Sequence, residues 1–251
     1  LRIYNTALSS AQVQAIYGTQ GMPSRQVMTG TPLFTQLSSA ATSSAVGAFS
    51  LRAVNGTSAK AVNVRPVAVF PPGPFVSPSQ GGGTPQTNII TGYPFGGSGT
   101  YTAFSSTWLG GLYQAWRAFD ADLTSRWVSA ANYTANTPYS GAASTTAGGV
   151  SYPGEWLQIQ LPQAINLASY SIYPQNTNIP STWNVFASND GTTWTVIDQR
   201  GTPPTTGQYN NYTISGNPAA YSYYRIGCYI VSLNTSFAIV ELQLYLSLIH
   251  I

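Results

Sequence analysis

A succession of short segments in which apolar and polar residues alternate constrains the fold of this chain more than any other feature. The alternation is plain over Trp156–Leu161 and again over Trp194–Ile197, and side chains that change face at every second residue are typical of half-buried β-strands. Asn189-Asp190-Gly191 lies between two such segments, and Asp-Gly tolerates the positive φ of a tight hairpin turn. Strands joined by turns, without helical spacers, predict an all-β sandwich or jelly roll.

Eight strands are predicted between residues 100 and 245. They are Thr100–Ser105, Trp156–Leu161, Ala168–Tyr173, Trp183–Ser188, Trp194–Gln199, Asn211–Ile214, Tyr221–Cys228 and Ala238–Tyr245. The tryptophans in and beside these segments are predicted to fill the core: Trp116, Trp127, Trp156, Trp183 and Trp194.

The composition suits a surface protein better than a cytosolic enzyme. Hydrophobic residues make up 43% of the 251 residues, enough for a sizeable core, but charged residues make up only 6%, against about 25% in an ordinary domain. The net charge of +3 comes from scattered basic residues without a basic run, which argues against a nucleic-acid partner. Cys228 is the only cysteine, so no internal disulfide forms, and its apolar surroundings predict a small buried hydrophobe.

The region before residue 88 divides into three parts. Residues 1–20 resemble the closing strand and helix of concanavalin-A-like lectin domains through the words RIYNTALS. Residues 21–66 are Ser/Ala-rich and include a predicted helix over 40–54. The part near 31–66 resembles the opening of an arabinofuranosidase-type domain. We expect it to be a remnant of such a domain. Residues 67–87 are rich in Pro and Gly, which predicts an extended, flexible linker.

Both ends of the chain look truncated. The sequence starts inside a predicted strand without an initiator Met, and residues 246–251, LSLIHI, resemble a translated sequencing-library adapter. We therefore expect these six residues to be a scar and exclude His250, the only histidine, from the chemistry. No apolar run reaches the roughly 18 residues of a membrane span.

Residues 88–245 resemble the discoidin family, the coagulation-factor type C and related galactose-binding-like modules. The motifs that carry the resemblance occur in order: TYTAFSSTW at 100–108, AFDADLTSRWVS at 118–129, GEWLQIQLP at 154–162, ASNDGTTWTVI at 187–197 and YYRIGC at 223–228. The resemblance implies a discoidin-type jelly-roll β-sandwich.

The carbohydrate-binding branch of this family implies a structural Ca²⁺ in the second motif. Its ligands fall on the Arg117 carbonyl, Asp120, Asp122, Ser125 and Glu241, all oxygen donors, as Ca²⁺ prefers. Ala121 stands where the family has Gly, which strains the loop by about 1 kcal/mol if positive φ is needed there. The alternative is that the two aspartates only cap the turn, with Asp120 paired to Arg117 or Arg126.

Ligand-binding residues are expected on loops at one end of the sandwich. Trp108 and Leu109 form an apolar pair in the first loop, where the resembling proteins contact glycan or phospholipid; alternatively, Trp108 packs under the long loop. The insertion 130–152 offers Asn132, Tyr133 and Tyr139 as a sugar pocket or is a mobile loop, and the turn 176–178 offers Asn178.

These residues favour binding over catalysis. The module holds four Asp, two Glu and no histidine outside the last six residues, and no pair among them is singled out for acid–base chemistry. We predict a non-catalytic glycan-binding or adhesion module, extracellular or on a cell or virion surface, with a glycan partner and, as a further candidate, a phospholipid surface. The alternatives are a virion surface protein of a large DNA virus of algae and an accessory module of a secreted glycosidase.

Overall fold

A computed structural model describes residues 69–92, 97–216 and 219–246 with their side chains, and the backbone of 36–39, 49–52 and 61–64. The chain divides into two compact units, Leu1–Pro66 and Val67–Ile251, which we describe separately. The resemblance of residues 1–20 to a lectin domain lies outside the described residues.

The first unit contains a three-stranded antiparallel sheet of β1 (Gln36–Ser39), β2 (Phe49–Arg52) and β3 (Ala61–Val64), with β2 in the centre. The predicted helix over 40–54 is wrong over Phe49–Arg52, since this strand pairs on both sides; the rest of that prediction lies outside the described residues. The β-branched and aromatic residues around this segment favour strands over helices.

The described residues of the second unit form thirteen strands and one turn of 3₁₀ helix, η1 (Ala115–Ala118). The strands are β4 (Val69–Phe70), β5 (Gln86–Ile90), β6 (Gly99–Ser105), β7 (Trp127–Val128), β8 (Ser144–Ala147), β9 (Val150–Pro153), β10 (Glu155–Ile165), β11 (Leu167–Pro174), β12 (Pro180–Ser188), β13 (Thr195–Arg200), β14 (Asn210–Thr213), β15 (Tyr221–Val231) and β16 (Ala238–Leu246).

These strands form two main antiparallel sheets. One has the order β13-β12-β15-β10-β6-β5, and the other has the order β14-β11-β16-β4, with β7 also paired to β16. All eight predicted strands are present; six are longer than predicted, by one to five residues, and β13 and β14 keep the predicted length but are shifted by one residue. The predicted jelly-roll β-sandwich is confirmed.

The alternation in β10 explains how the sheets pack. Leu157 and Ile159 are fully buried on the inner face, while Trp156 and Gln158 are half-buried on the outer face. The inner faces of both sheets share one hydrophobic core; the Trp183 indole of one sheet donates a hydrogen bond to the Tyr170 hydroxyl of the other, at 3.1 Å. Cys228 is fully buried, as predicted.

The Pro/Gly-rich stretch differs from the linker predicted over 67–87. Phe70 pairs with Leu244 at the sheet edge, and Phe75 is buried to 2% exposure against Phe119 and Tyr101. Prolines exclude this stretch from the centre of a sheet, but its two phenylalanines bury enough apolar surface to hold it on the sandwich.

Trp194 is buried as predicted, but in a second, smaller cluster with Ala147 and Phe186, whereas Trp156 is only half-buried. The two indoles enclose an arginine on the outer face of the sheet. The Arg225 guanidinium carbon lies 3.7 Å from the ring centroid of Trp156 and 4.1 Å from that of Trp194. The hairpin of β8 and β9 covers this group, since Thr145 accepts a 2.9 Å hydrogen bond from Arg225. Trp116, Trp127 and Trp183 lie in the main core as predicted.

β16 ends at Leu246, whose pairing with Leu167 continues the sheet into the first residue of the predicted scar; the other five residues lie outside the described part. Within the described residues, no helix has the length and apolar character needed to cross a membrane.

Candidate functional site

Four loops meet at one end of the sandwich: 106–114, 129–143, 175–179 and 232–237. Backbone hydrogen bonds link the last three loops, from Ser129 to Phe237, from Tyr133 to Thr235 and from Ser232 to Ile179. The first loop is joined to the second by the Thr107 hydroxyl, which accepts from the Ala130 amide at 2.9 Å. We call this the loop end. The links hold the loops in a defined arrangement, which a ligand site requires.

A buried carboxylate joins two of these loops. Glu155, at the start of β10, is fully buried, and its Oε2 accepts hydrogen bonds from Ser106 and Thr107, the latter at 2.7 Å. Its Oε1 accepts from Asn132 Nδ2 at 2.7 Å and from the Tyr139 hydroxyl at 2.8 Å. We call these five residues the Glu155 cluster.

A depression of about 300 Å³ lies beside the Glu155 cluster. Phe104 and Trp108 supply aromatic walls, and Ser106 and Thr107 supply hydroxyl groups. The lining is completed by Gly83, Ser105 and Ala130. Aromatic walls next to fixed hydroxyls are suited to a ligand with both apolar and polar faces.

Trp108 and Leu109 occupy different environments. Trp108 is half-buried and packs against the core, and its indole lies against the backbone of Gly82 and Gly83. Leu109 is 49% exposed. Trp108 is thus partly covered by the Pro/Gly-rich stretch. The predicted ligand role of Trp108 and Leu109 stays a prediction.

The structure does not place Tyr133 and Tyr139 on a ligand-accessible surface. They are 4% and 5% exposed; the Tyr133 hydroxyl donates to the Cys228 carbonyl at 2.7 Å, and the Tyr139 hydroxyl donates to Glu155. Burial raises the pKa of Tyr139 to about 12. Both rings brace the insertion against the sandwich, so the predicted sugar pocket there is wrong for these two residues.

Asn132 and Asn178 remain partly accessible. The Asn132 amide is bound to Glu155 although the residue is exposed. Asn178 is half-buried, its amide donates to Gln175 at 2.8 Å, and its carbonyl accepts from Ala238 at 3.1 Å. Both residues stabilise loops, and their ligand role stays a prediction.

The predicted calcium ligands lie around the loop that joins η1 to β7. The Ser125 hydroxyl donates to Asp120 at 2.5 Å and lies 3.3 Å from the Arg117 carbonyl. Glu241, from the centre of β16, reaches the same loop and accepts from the Ala121 amide at 3.1 Å. The tertiary structure therefore brings these four oxygen donors to one loop.

Asp122 and Ala121 complete the loop in different ways. The Asp122 carboxylate is exposed and accepts from the amide and the hydroxyl of Thr124, at 2.9 and 2.7 Å; these hydrogen bonds lower the pKa of Asp122. Ala121 has φ of +58°, so the loop carries the strain expected of a non-glycine residue there.

No basic side chain forms an ion pair with the carboxylates of this loop in the described residues, although the nearby Arg117 charge acts to lower the pKa of Asp120 and of Asp122. Burial, and next the neighbouring Asp120, raise the pKa of Glu241 to about 9, and burial also raises the pKa of Asp120. Within the described residues the only ion pair joins Arg200 to Asp198, so Asp120 is not paired to Arg117 or Arg126. Those arginines instead lie over the rings of Trp116 and Tyr113.

This oxygen set fits a hard cation, with two carboxylates, one hydroxyl and one carbonyl. Within the described part of the chain, no group of three or more His, Cys, Asp or Glu side chains is placed to hold a metal. A cation here would therefore rely on the neutral oxygens of Ser125 and Arg117 as much as on Asp120 and Glu241.

Sequence reasoning missed Glu155, Ser106, Thr107 and Gly83. Glu155 comes directly before the strand predicted over Trp156–Leu161 and has no charged residue near it in sequence, so only the meeting of distant loops reveals its role. The sequence feature that marks Gly83 is the glycine triplet 81–83, which predicts a flexible linker but equally allows a close approach of the backbone to a side chain.

No family model matches the chain, and no curated protein matches it. Among solved structures, it is similar to chitosan-binding module 1 of a chitosanase/glucanase from Paenibacillus sp. IK-5, with 21% identity and a TM-score of 0.43 over 57% of this chain and 93% of that module. It is also similar to the family 32 carbohydrate-binding module from Clostridium perfringens NanJ in complex with galactose, with 18% identity and a TM-score of 0.44 over 58% of this chain and 93% of that one. These matches cover nearly the whole of each module and somewhat over half of this chain.

Proposed function

We propose that the sandwich is a non-catalytic glycan-binding module that uses the depression at the loop end. The observation that carries the proposal is the placement of Trp108 and Phe104 beside the Ser106 and Thr107 hydroxyls. The apolar C–H face of a sugar packs on an aromatic ring, while its hydroxyls can donate to the oxygens of Ser106 and Thr107, whose own hydroxyl hydrogens are held by Glu155. The Glu155 cluster supplies the rigidity.

The acidic residues support binding over catalysis. Asp198 pairs with Arg200 and accepts from Tyr170, Asp190 accepts hydrogen bonds within the β12–β13 turn, and Glu155 accepts four hydrogen bonds. Each of these carboxylates is occupied by structural contacts. As context we propose an adhesion or attachment element of a larger extracellular, cell-surface or virion protein, in line with the charge-poor composition.

Replacing Trp108 by alanine is expected to weaken glycan binding at least tenfold, since it removes an aromatic wall of the depression. The full chain and its variant would be compared on a glycan array that includes galactose-terminated and chitosan oligosaccharides, the sugars named for the similar modules. Leu112→Ala is the matched control, because Leu112 lies in the same loop but is 70% exposed and does not line the depression. A blank array, or equal binding by all three proteins, would contradict the proposal.

A phospholipid surface is the second candidate partner, and one observation favours it. Leu109, Leu112 and Leu233, at 49%, 70% and 50% exposure, lie on loops of the same end. In the same experiment, binding to phosphatidylserine vesicles that is lost in Leu112→Ala and retained in Trp108→Ala would favour the lipid over the glycan.

We further propose that the loop after η1 binds Ca²⁺ through Asp120, Ser125, Glu241 and the Arg117 carbonyl. What supports this is Glu241, buried to 3% exposure with no basic partner in the described part of the chain. A bound cation would neutralise the two carboxylates and join the loop to β16, which stabilises a sandwich without a disulfide.

Calcium is expected to raise the melting temperature of the full chain above its value in chelator. Saturation at about 100 times the dissociation constant adds about 2.7 kcal/mol, which for a unit of this size is roughly 5–10 °C. Glu241→Gln should abolish the increment, whereas Asp190→Asn, in the distant hairpin, should retain it. An unchanged melting temperature in wild type would exclude the metal.

A further inference from the structure

Residues 77–85, which we call the glycine strap, lie across the indole of Trp108. A β-carbon added to Gly82 would lie 2.7 Å from Trp108 Nε1, and one added to Gly83 would lie 2.8 Å from Cζ3. Real β-carbons do not approach other atoms so closely, so only glycine backbone fits here. The strap contacts both the five-membered and the six-membered ring of the indole.

Both ends of the strap are fixed. On one side, the Asn88 side chain accepts from the Val76 amide at 3.0 Å and donates to the Val76 carbonyl at 2.9 Å. On the other side, the fully buried Gln86 accepts from the Trp116 amide and donates to Gln114, both at 3.0 Å. The strap therefore stays beside Trp108 even when its middle moves.

The middle of the strap is held only by contact. The strap's own hydrogen bonds run from the Thr84 amide and hydroxyl to the Gly81 carbonyl, and from the Thr87 amide to the Gln80 side chain. Within the described residues, neither Gly82 nor Gly83 forms a hydrogen bond. Lifting these two residues removes no hydrogen bond of their own, and the packing on one indole that would be lost opposes the motion.

We propose that the glycine strap is an intramolecular cover, which occupies the indole of Trp108 where a sugar would stack, so that glycan and strap compete. This rests on the proposed function. Gly83 lines the same depression as Trp108, so a sugar that enters meets the strap directly. The apparent affinity is the affinity of the uncovered protein multiplied by the uncovered fraction.

Alanine substitutions in the strap test the cover without any ligand. Gly82→Ala and Gly83→Ala each place a methyl group against the indole, and neither residue has a positive φ that would strain alanine. Gly81→Ala is the matched control, since nothing lies within 4 Å of its added β-carbon. The full chain would be labelled with 5-fluorotryptophan and its six tryptophan signals recorded, with that of Trp108 assigned from Trp108→Phe.

The expected result is a larger H₂O/D₂O isotope shift of the Trp108 signal in Gly82→Ala and Gly83→Ala, and no change in Gly81→Ala. On the glycan array, the first two variants should bind threefold to tenfold more tightly than wild type. An unchanged isotope shift in both strap variants overturns the cover.

Glycan binding by the strap variants distinguishes the competition between strap and glycan from the proposed glycan-binding function. If the isotope shift shows that the Trp108 indole is uncovered in Gly82→Ala and Gly83→Ala, but these variants bind glycan no more tightly than wild type, the competition is overturned and the proposed function is unaffected. An array that is blank for wild type and all variants overturns the competition together with the proposed function, while the isotope shift still decides whether the strap covers Trp108.

Discussion

Glu155→Ala is expected to lower the free energy of unfolding by about 3–5 kcal/mol. The substitution leaves four donors, on Ser106, Thr107, Asn132 and Tyr139, without their acceptor. A buried donor without a partner costs about 1–3 kcal/mol, but the exposed Asn132 regains water, which limits the sum. Urea unfolding of the full chain, followed by tryptophan fluorescence, measures the change.

Glu155→Gln separates hydrogen bonding from charge. The amide keeps one carbonyl oxygen for Asn132 and Tyr139, and the hydroxyls of Ser106 and Thr107 can rotate to accept from its nitrogen. We expect a loss of about 1–2 kcal/mol. Gln160→Ala, on the outer face of the same strand, is the control and should change stability by less than about 0.5 kcal/mol. If Glu155→Ala matches this control, the Glu155 cluster does not hold the loops.

Arg225→Ala is expected to lower the free energy of unfolding by about 2–4 kcal/mol. It removes a cation stacked between Trp156 and Trp194, worth about 0.5–2 kcal/mol for each ring, and leaves Gln158 and Thr145 without their donor. The residue is 8% exposed and has no carboxylate partner within the described residues, so burial lowers the pKa of Arg225 to about 10. The near-UV circular dichroism signal should decrease, because the indoles of Trp156 and Trp194 lose their fixed orientation.

Two further substitutions identify what Arg225 contributes. Lysine keeps the charge but lacks the planar group that fits between two rings, so we expect a loss close to that of alanine. Methionine fills the gap without the desolvation cost of a charge, so it should recover most of the stability. Arg126→Ala is the control, because Arg126 lies over one ring only, 5.1 Å from the Tyr113 centroid. Full stability in the lysine variant would contradict the stacking argument.

The eight strands could be predicted because their signal is local. In β10, successive side chains face the core and the outer surface in turn, so apolar and polar residues alternate along the sequence. Asp190 and Gly191 mark the hairpin in the same local way: Gly191 has φ of +73°, and the Asp190 carboxylate accepts from the amides of Thr192 and Thr193.

The calcium loop is an intermediate case. The spacing of Asp120, Asp122 and Ser125 is visible in the sequence, and the resemblance alone suggested Glu241. The structure brings Glu241 to the Ala121 amide but turns Asp122 toward Thr124. Which way a short acidic side chain points depends on the hydroxyl and amide donors around it, and spacing carries no such information.

The exposure of a loop side chain could not be predicted from the sequence. Tyr133 and Tyr139 look suited to a sugar pocket, yet the long insertion folds back and buries both rings. The Pro/Gly-rich stretch looks like a linker, yet Phe75 anchors it in the core and its glycines lie on Trp108.

The strand pattern, the sandwich class and the residue types that could bind a cation or a sugar follow from neighbours along the chain, and so they can be predicted from the sequence. Which of these residues remain accessible depends on the packing of distant segments. The Glu155 carboxylate joins loop residues that lie 16 to 49 positions before it, and Trp108 is partly covered by residues 25 and 26 positions before it. Such contacts depend on how the two sheets close, because burial and hydrogen bonding between distant segments arise only after the core has packed.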